Sequence, residues 1–143
     1  MSLATEQILG FEGEHRFLSN FYPCRVTYEG QPYLSSEAAF QAAKSIDPEV
    51  RKGFMYVTAA ESKKMGRQVA LRPDWDQVKE QVMYDILMDK FTRHDYLRLS
   101  LIKTGNAFLE ETNTWGDTYW GVCGGVGKNR LGALLMNVRD RLR

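Results

Sequence analysis

Residues 35–44 read Ser-Ser-Glu-Ala-Ala-Phe-Gln-Ala-Ala-Lys, and this stretch decides the fold class. Alanine, the best helix former, occupies positions 38, 39, 42 and 43, and Ser35 or Ser36 offers an N-cap. Upstream the chain reads as extended. Arg25–Tyr28 is a β-prone run, Glu29-Gly30-Gln31 a turn and Pro32–Leu34 a return strand. Downstream it reads as helices. Asp47-Pro48 opens one with Val50, Phe54 and Val57 on its apolar face, and Thr58 caps another that runs through Met65 and ends at Gly66. Asp74 and Gln77 have capping-box spacing, and Val78, Val82, Met83, Ile86 and Phe91 then recur at helical intervals. Asp95 starts a companion helix with Tyr96, Leu99 and Ile102 on one side and Gly105 as its stop. Residues 112–128 read as a loop with one short strand around Tyr119. A closing amphipathic helix runs from Asn129 or Arg130 to Leu142 through Leu131, Leu134, Leu135 and Val138. The sum is an α+β chain, predominantly α, with a small N-terminal β element and about six helices. Strands and helices do not alternate and no Gly-rich βαβ turn appears, which excludes a Rossmann fold.

A chain of 143 residues suits one compact domain. Its 43% hydrophobic and 26% charged residues are ordinary for a globular protein. With 19 basic and 18 acidic residues the net charge is +1, so no global positive field advertises a grip on long phosphate backbones. Cys24 and Cys123 lie far apart and only two histidines are present, without the close ligand pairs of a zinc site; no metal or cofactor is expected. The N-terminus lacks a basic stretch followed by an apolar run, and no apolar stretch approaches the roughly 18 residues of a membrane span. The expectation is a cytoplasmic protein with free thiols and no membrane partner.

Positions three and four apart on a helix share a face, so Glu37, Gln41 and Lys44 project together. Glu37 can act as acid or base, Gln41 can orient a hydroxyl, and Lys44 can serve as a nucleophile or bind an anion. The plainer alternative is an ordinary solvated helix face. In the run 115–121, Trp115, Tyr119 and Trp120 can stack on a base or sugar, and Asp117 can bind ribose hydroxyls or stabilise positive charge; the same aromatics could instead plug the core. Glycines 121, 124, 125 and 127 lead into Lys128, Asn129 and Arg130 at a helix start, a composition suited to phosphate or simply to a flexible turn. It is not a Walker A motif, which needs Ser or Thr where Asn129 stands. Trp75 is either a hydrophobic staple or an aromatic lid, and Asn20, beside Phe21, either a turn residue or a buried group aimed at a ligand.

Taken in order, FLSNFYPC (17–24), SSEAAFQAAK (35–44), Met65-Gly66-Arg67, RPDWDQVKEQVM (72–83), DTYWG (117–121) and GVGKNRLGALLM (125–136) resemble the NADAR/YbiA-like family. The resemblance implies a family domain over residues 11–143, with 1–10 as an N-terminal extension. It implies an N-glycosidase that cleaves a base from a phosphorylated ribose. One branch of that family acts on phosphoribosylamino-pyrimidine intermediates of riboflavin synthesis, and another removes ADP-ribose from guanine in nucleic acid. The partner is then a ribose-phosphate metabolite or an ADP-ribosylated nucleic acid. Carried over residue by residue, the resemblance marks Glu37, Lys44 and Asp117 as catalytic. It marks Trp75 as a further active-site position and Asn20, Gly121 and Asn129 as ligand-pocket positions. The chemistry of the residues adds Phe21, Gln41, Tyr119, Trp120, Lys128 and Arg130 around the substrate. Val122-Cys123-Gly124 after the Tyr-Trp-Gly is closer to members associated with ADP-ribose than to the riboflavin branch. A non-catalytic ADP-ribose or nucleotide-binding module is the rival reading, since the same aromatics and cations would serve binding alone.

Overall fold

A computed structural model describes residues 6–143. Packing divides them into two units, one of residues 20–94 and one of residues 6–19 with 95–143.

The first unit begins with a hairpin. Val26–Tyr28 (β2) pairs antiparallel with Gln31–Tyr33 (β3), with Val26 opposite Tyr33. Its two-residue turn places Glu29 at φ 46° and Gly30 at φ 84°, the left-handed pair that matches strand twist. The helix Ser36–Ala42 (α1) follows directly, its first turn capped by the Ser35 hydroxyl accepting from the Ala38 amide at 3.1 Å. Pro48–Lys52 (α2) is a single short turn capped by Asp47. The expected apolar face through Val50 and Phe54 does not form: the helix stops at Lys52, Val50 is exposed, and Phe54 reaches the core from the turn beyond it. Ala59–Gly66 (α3) starts at Thr58 with a capping box closed by Glu61, and Gly66 is its last residue, as the sequence indicates.

Trp75–Arg93 (α4) supplies Val82, Met83, Ile86, Leu87 and Phe91 to the core of this unit. The capping box expected at Asp74 and Gln77 is absent. Arg72 takes the Asp74 carboxylate in two bonds of 2.7 and 3.1 Å, which leaves it no role at the helix end. Helix α1 packs on both α3 and α4, and alanines 38, 39, 42 and 43, all fully buried, permit that close approach. Hairpin strand β2 lies on α4, where the Thr27 amide donates to Asp89 at 2.7 Å.

In the second unit Gln7–Leu9 (β1) pairs in parallel with Phe108–Glu110 (β4), Ile8 opposite Leu109. Residues 7–9 of the expected N-terminal extension are thus a paired strand, while residues 1–5 of it lie outside the described residues. Asp95–Lys103 (α5) forms as anticipated with a different inner face. Leu97 and Leu101 are buried, and Tyr96 and Leu99 are about half exposed. The expected strand around Tyr119 is replaced by Thr112–Asn113 (β5), parallel to Val122–Cys123 (β6). Arg130–Leu142 (α6) buries Leu131, Leu134, Leu135 and Val138, as its periodicity requires, and packs on β4. The class is α+β and predominantly helical, with six α-helices among the described residues.

Candidate active site

Helix α1 is buried along its whole length, so the solvated-face alternative fails. Glu37 is 9% and Gln41 6% exposed, unusual burial for these residue types. The Gln41 Nε2 donates to Glu37 Oε2 at 2.7 Å, a short bond to the kind of acceptor that a carboxylate's negative charge strengthens. The Gln41 Oε1 is buried with no hydrogen-bond partner among the described residues.

The helix is held at both ends. At its start the Asn20 carbonyl accepts from the Glu37 amide at 3.0 Å, and the Asn20 Oδ1 accepts from the Ser36 hydroxyl at 2.9 Å. Asn20 is itself buried, its Nδ2 donating to the Met83 sulfur. At the other end the Arg72 amide donates to the Lys44 carbonyl at 2.8 Å, and its guanidinium reaches the Ala43 carbonyl at 3.5 Å, answering acceptors that a helix terminus leaves open. Both clamps fix the backbone from which Glu37, Gln41 and Lys44 project.

Lys44 lies just past the cap residue Ala43 and is half-buried. Burial pushes its amine below the ordinary lysine range; Glu37 opposes that shift and Arg67 adds to it. Among the described residues its amine makes no hydrogen bond or ion pair. Trp75 opens α4 buried, its ring 5.0 Å from that of Phe40 on α1, so it packs against the helix that carries Glu37 and Gln41. Phe21 is 37% exposed and carries the Lys63 ammonium 5.7 Å from its ring centre. A cavity of about 540 Å³ in the same unit is lined by Val50, Phe54, Met65 and Val69 among others, and none of Glu37, Gln41 and Lys44 lines it.

The remaining expected residues belong to the other unit, where they form one hydrogen-bonded turn. Asn113, outside the residues the sequence singles out, organises it: its Oδ1 accepts from the Trp115 and Asp117 amides, and its Nδ2 donates to the Asp117 carbonyl at 2.9 Å. The only signal for it was an Asn four residues ahead of an Asp in a Gly- and Trp-rich run. Asp117 Oδ1 then accepts from the Tyr119 and Trp120 amides at 3.1 and 2.9 Å. The Tyr119 and Trp120 rings meet edge to face at 4.9 Å, and the Lys128 ammonium sits 5.5 Å from the Tyr119 ring centre. Trp115 is exposed.

Of the backbone amides expected to cradle phosphate, those of residues 128–131 are already used within the turn. The amides of Lys128, Asn129, Arg130 and Leu131 donate to the carbonyls of Thr118, Gly121, Tyr119 and Trp120 at 2.9–3.3 Å. Asn129 is buried in the left-handed conformation at φ 52°, its Nδ2 donating to the Leu109 carbonyl and its Oδ1 accepting from the Glu111 amide. At Gly121 an added Cβ would stand 2.2 Å from the Glu111 carbonyl oxygen, so a side chain is excluded there on packing grounds.

The match to the NADAR domain extends over residues 10–143. The N-glycosidase YbiA of Escherichia coli is 42% identical over 128 residues, covering 87% of this chain and 79% of the relative. A riboflavin biosynthesis protein of Vibrio vulnificus is 36% identical over 133 residues, covering 90% of this chain and 36% of that longer protein. The NMR structure of E. coli YbiA superposes with a TM-score of 0.85 at 37% identity, over 98% of this chain and 87% of that one.

Proposed function

Since this chain belongs to the NADAR family and is a hydrolase of N-glycosyl bonds, we propose that its substrate is a base joined through nitrogen to a phosphorylated ribose. The observation that carries the site is the buried Glu37–Gln41 pair beside an amine whose proton affinity burial has lowered. Two substrates suit that chemistry, a phosphoribosylamino-pyrimidine and an ADP-ribosylated guanine. The similarity to a riboflavin biosynthesis protein supports the first. The Val122-Cys123-Gly124 segment supports the second.

Breaking a ribose C1–N bond sends the electron pair to the leaving nitrogen, which must gain a proton, and builds positive charge at C1. A carboxylate fixed by an amide N–H is suited to stabilise that charge without rearranging. Glu37 takes that role. A desolvated lysine has a larger neutral fraction, and neutral Lys44 Nζ attacks C1, forming a C1–N bond as the bond from C1 to the base breaks. The proton that the resulting secondary ammonium gives up goes to the departing base. Ring opening gives an imine between Lys44 and the sugar. Water adds to it and returns the free amine and the ribose phosphate, so atoms balance with water as the one co-reactant. Asp117 has one oxygen engaged by two amides of its turn, and its catalytic role, like the substrate contacts of Tyr119, Trp120, Lys128 and Arg130, is part of this proposal. Phosphate is met by the cationic side chains of Lys128 and Arg130, since the amides of residues 128–131 are already donated to carbonyls.

The deciding experiment offers the purified chain both substrates, follows base release by mass spectrometry, and adds borohydride during turnover. Base release with a sugar-phosphate adduct on the wild type, and neither with Lys44→Ala, is expected. Base release without an adduct rejects the covalent route. Thermal stabilisation by ADP-ribose with no hydrolysis of either substrate would leave a binding module.

A further inference from the structure

We infer that Gly66 is a positioning residue for the reaction, its bare Cα holding the Gln41 carboxamide against Glu37. Gly66 ends α3, the helix that packs on α1. A Cβ built there would stand 1.9 Å from Gln41 Oε1, 2.7 Å from its Cδ and 3.3 Å from its Cγ. No rotation within the amide plane relieves contacts with three successive atoms of one side chain, so Gln41 would have to leave its place. The backbone does not ask for glycine here: Gly66 is not among the positive-φ glycines. In a helix, glycine is about 1 kcal/mol worse than alanine. Its presence is explained by what sits over it.

What sits over it is poorly satisfied. Gln41 Oε1 is buried without a partner among the described residues, a state that a side chain free to move would escape. It persists because Gly66 closes the space on one side while the 2.7 Å bond to Glu37 holds the Nε2 on the other. The carboxamide is therefore a wedge between α3 and the carboxylate, and Gly66 sets its depth.

This inference rests on Glu37 working in the reaction proposed above, and its test separates the two. Gly66→Ala, Gln41→Ala and the double variant are compared with wild type and Glu37→Gln in kcat and KM on both substrates. Gly66→Ala is expected to lower kcat at least 10-fold with KM changed less than threefold, and Gln41→Ala to do the same. The double variant should be no slower than the slower single, because both changes remove one bond. It should also fold at least as well as Gln41→Ala, since deleting the carboxamide clears the space for a Cβ and alanine favours the helix. Multiplying losses, or Gly66→Ala with wild-type kcat, overturn the inference while leaving Glu37 catalytic. Full activity in Glu37→Gln would instead overturn the reading beneath it. A readout independent of substrate is the exchange of the Gln41 side-chain amide protons in NMR spectra. They should exchange slowly in wild type and rapidly in Gly66→Ala. Equal exchange in the two overturns the role of Gly66.

Discussion

Helix α1 and the aromatic turn of residues 113–131 look equally promising in the sequence and differ in one respect in the structure. In the turn, the amides of Asp117, Tyr119, Trp120, Lys128, Asn129, Arg130 and Leu131 already have acceptors within their own unit. On α1 and just past its end, the buried Gln41 carboxamide oxygen has no donor and the desolvated Lys44 amine no hydrogen-bond partner among the described residues. Buried polar groups are normally satisfied, so an exception calls for an explanation by ligand or mechanism. The turn is architecture that can carry side chains to a ligand. The helix holds unsatisfied capacity, and that is where chemistry is expected.

The largest effect that tests this contrast is on rate. Glu37→Gln is expected to lower kcat by about 10²–10⁴-fold while shifting the melting temperature little, as read by base release and thermal unfolding. A next effect, on stability, comes from the same unit. Lys90 is fully buried, with its ammonium 5.2 and 5.7 Å from the ring centres of Phe91 and Tyr22, and burial lowers its pKa to about 8, with Cys24 opposing. Between about 8 and the ordinary 10.5 the unfolded chain holds the extra proton, so wild-type stability rises with pH across that window. Relative to Lys90→Met, the wild type should gain about 3 kcal/mol between pH 7 and pH 10.5 in denaturant titrations. A flat difference would mean that the ammonium is better solvated than its burial implies.

Smaller effects belong to the turn and should appear as stability. Asn129→Ala removes the bonds to Leu109 and Glu111 and a residue tolerant of φ 52°, and should cost about 2 kcal/mol in unfolding free energy. Asp117→Ala should cost about 1 kcal/mol or more, and Asp117→Asn much less, because its carbonyl oxygen can still accept from Tyr119 and Trp120. If Asp117→Asn keeps its stability and loses turnover, the carboxylate has a chemical task beyond shaping the turn, and the contrast drawn above narrows.

Local features were legible in the sequence because their causes are local. The Ser35 cap, the Glu29-Gly30 turn, the Thr58 start of α3 and the apolar series of α4 and α6 each follow from residues within a few positions of one another. The inner face of α5 is not legible because Tyr96 and Leu99 fit a helical period as well as Leu97 and Leu101 do, and only tertiary packing selects between two such stripes. The β1–β4 pairing joins distant stretches with no turn to announce it. At the site, spacing placed Glu37, Gln41 and Lys44 together but could not show that the face points inward. The wedge role of Gly66 was hidden because a helix-terminal glycine is ordinarily read as a stop signal.

The parallel register of β1 with β4 has a consequence for how the protein is made. Ile8 must find Leu109, roughly a hundred residues later in the chain. At about 5–20 residues per second, a ribosome exposes β1 for about 5–20 s before its partner strand exists. Residues 20–94, complete within that interval, can begin forming their own contacts meanwhile. During synthesis the first strand is therefore an unpaired edge, and its brevity at three residues limits how much of a template it offers to other chains.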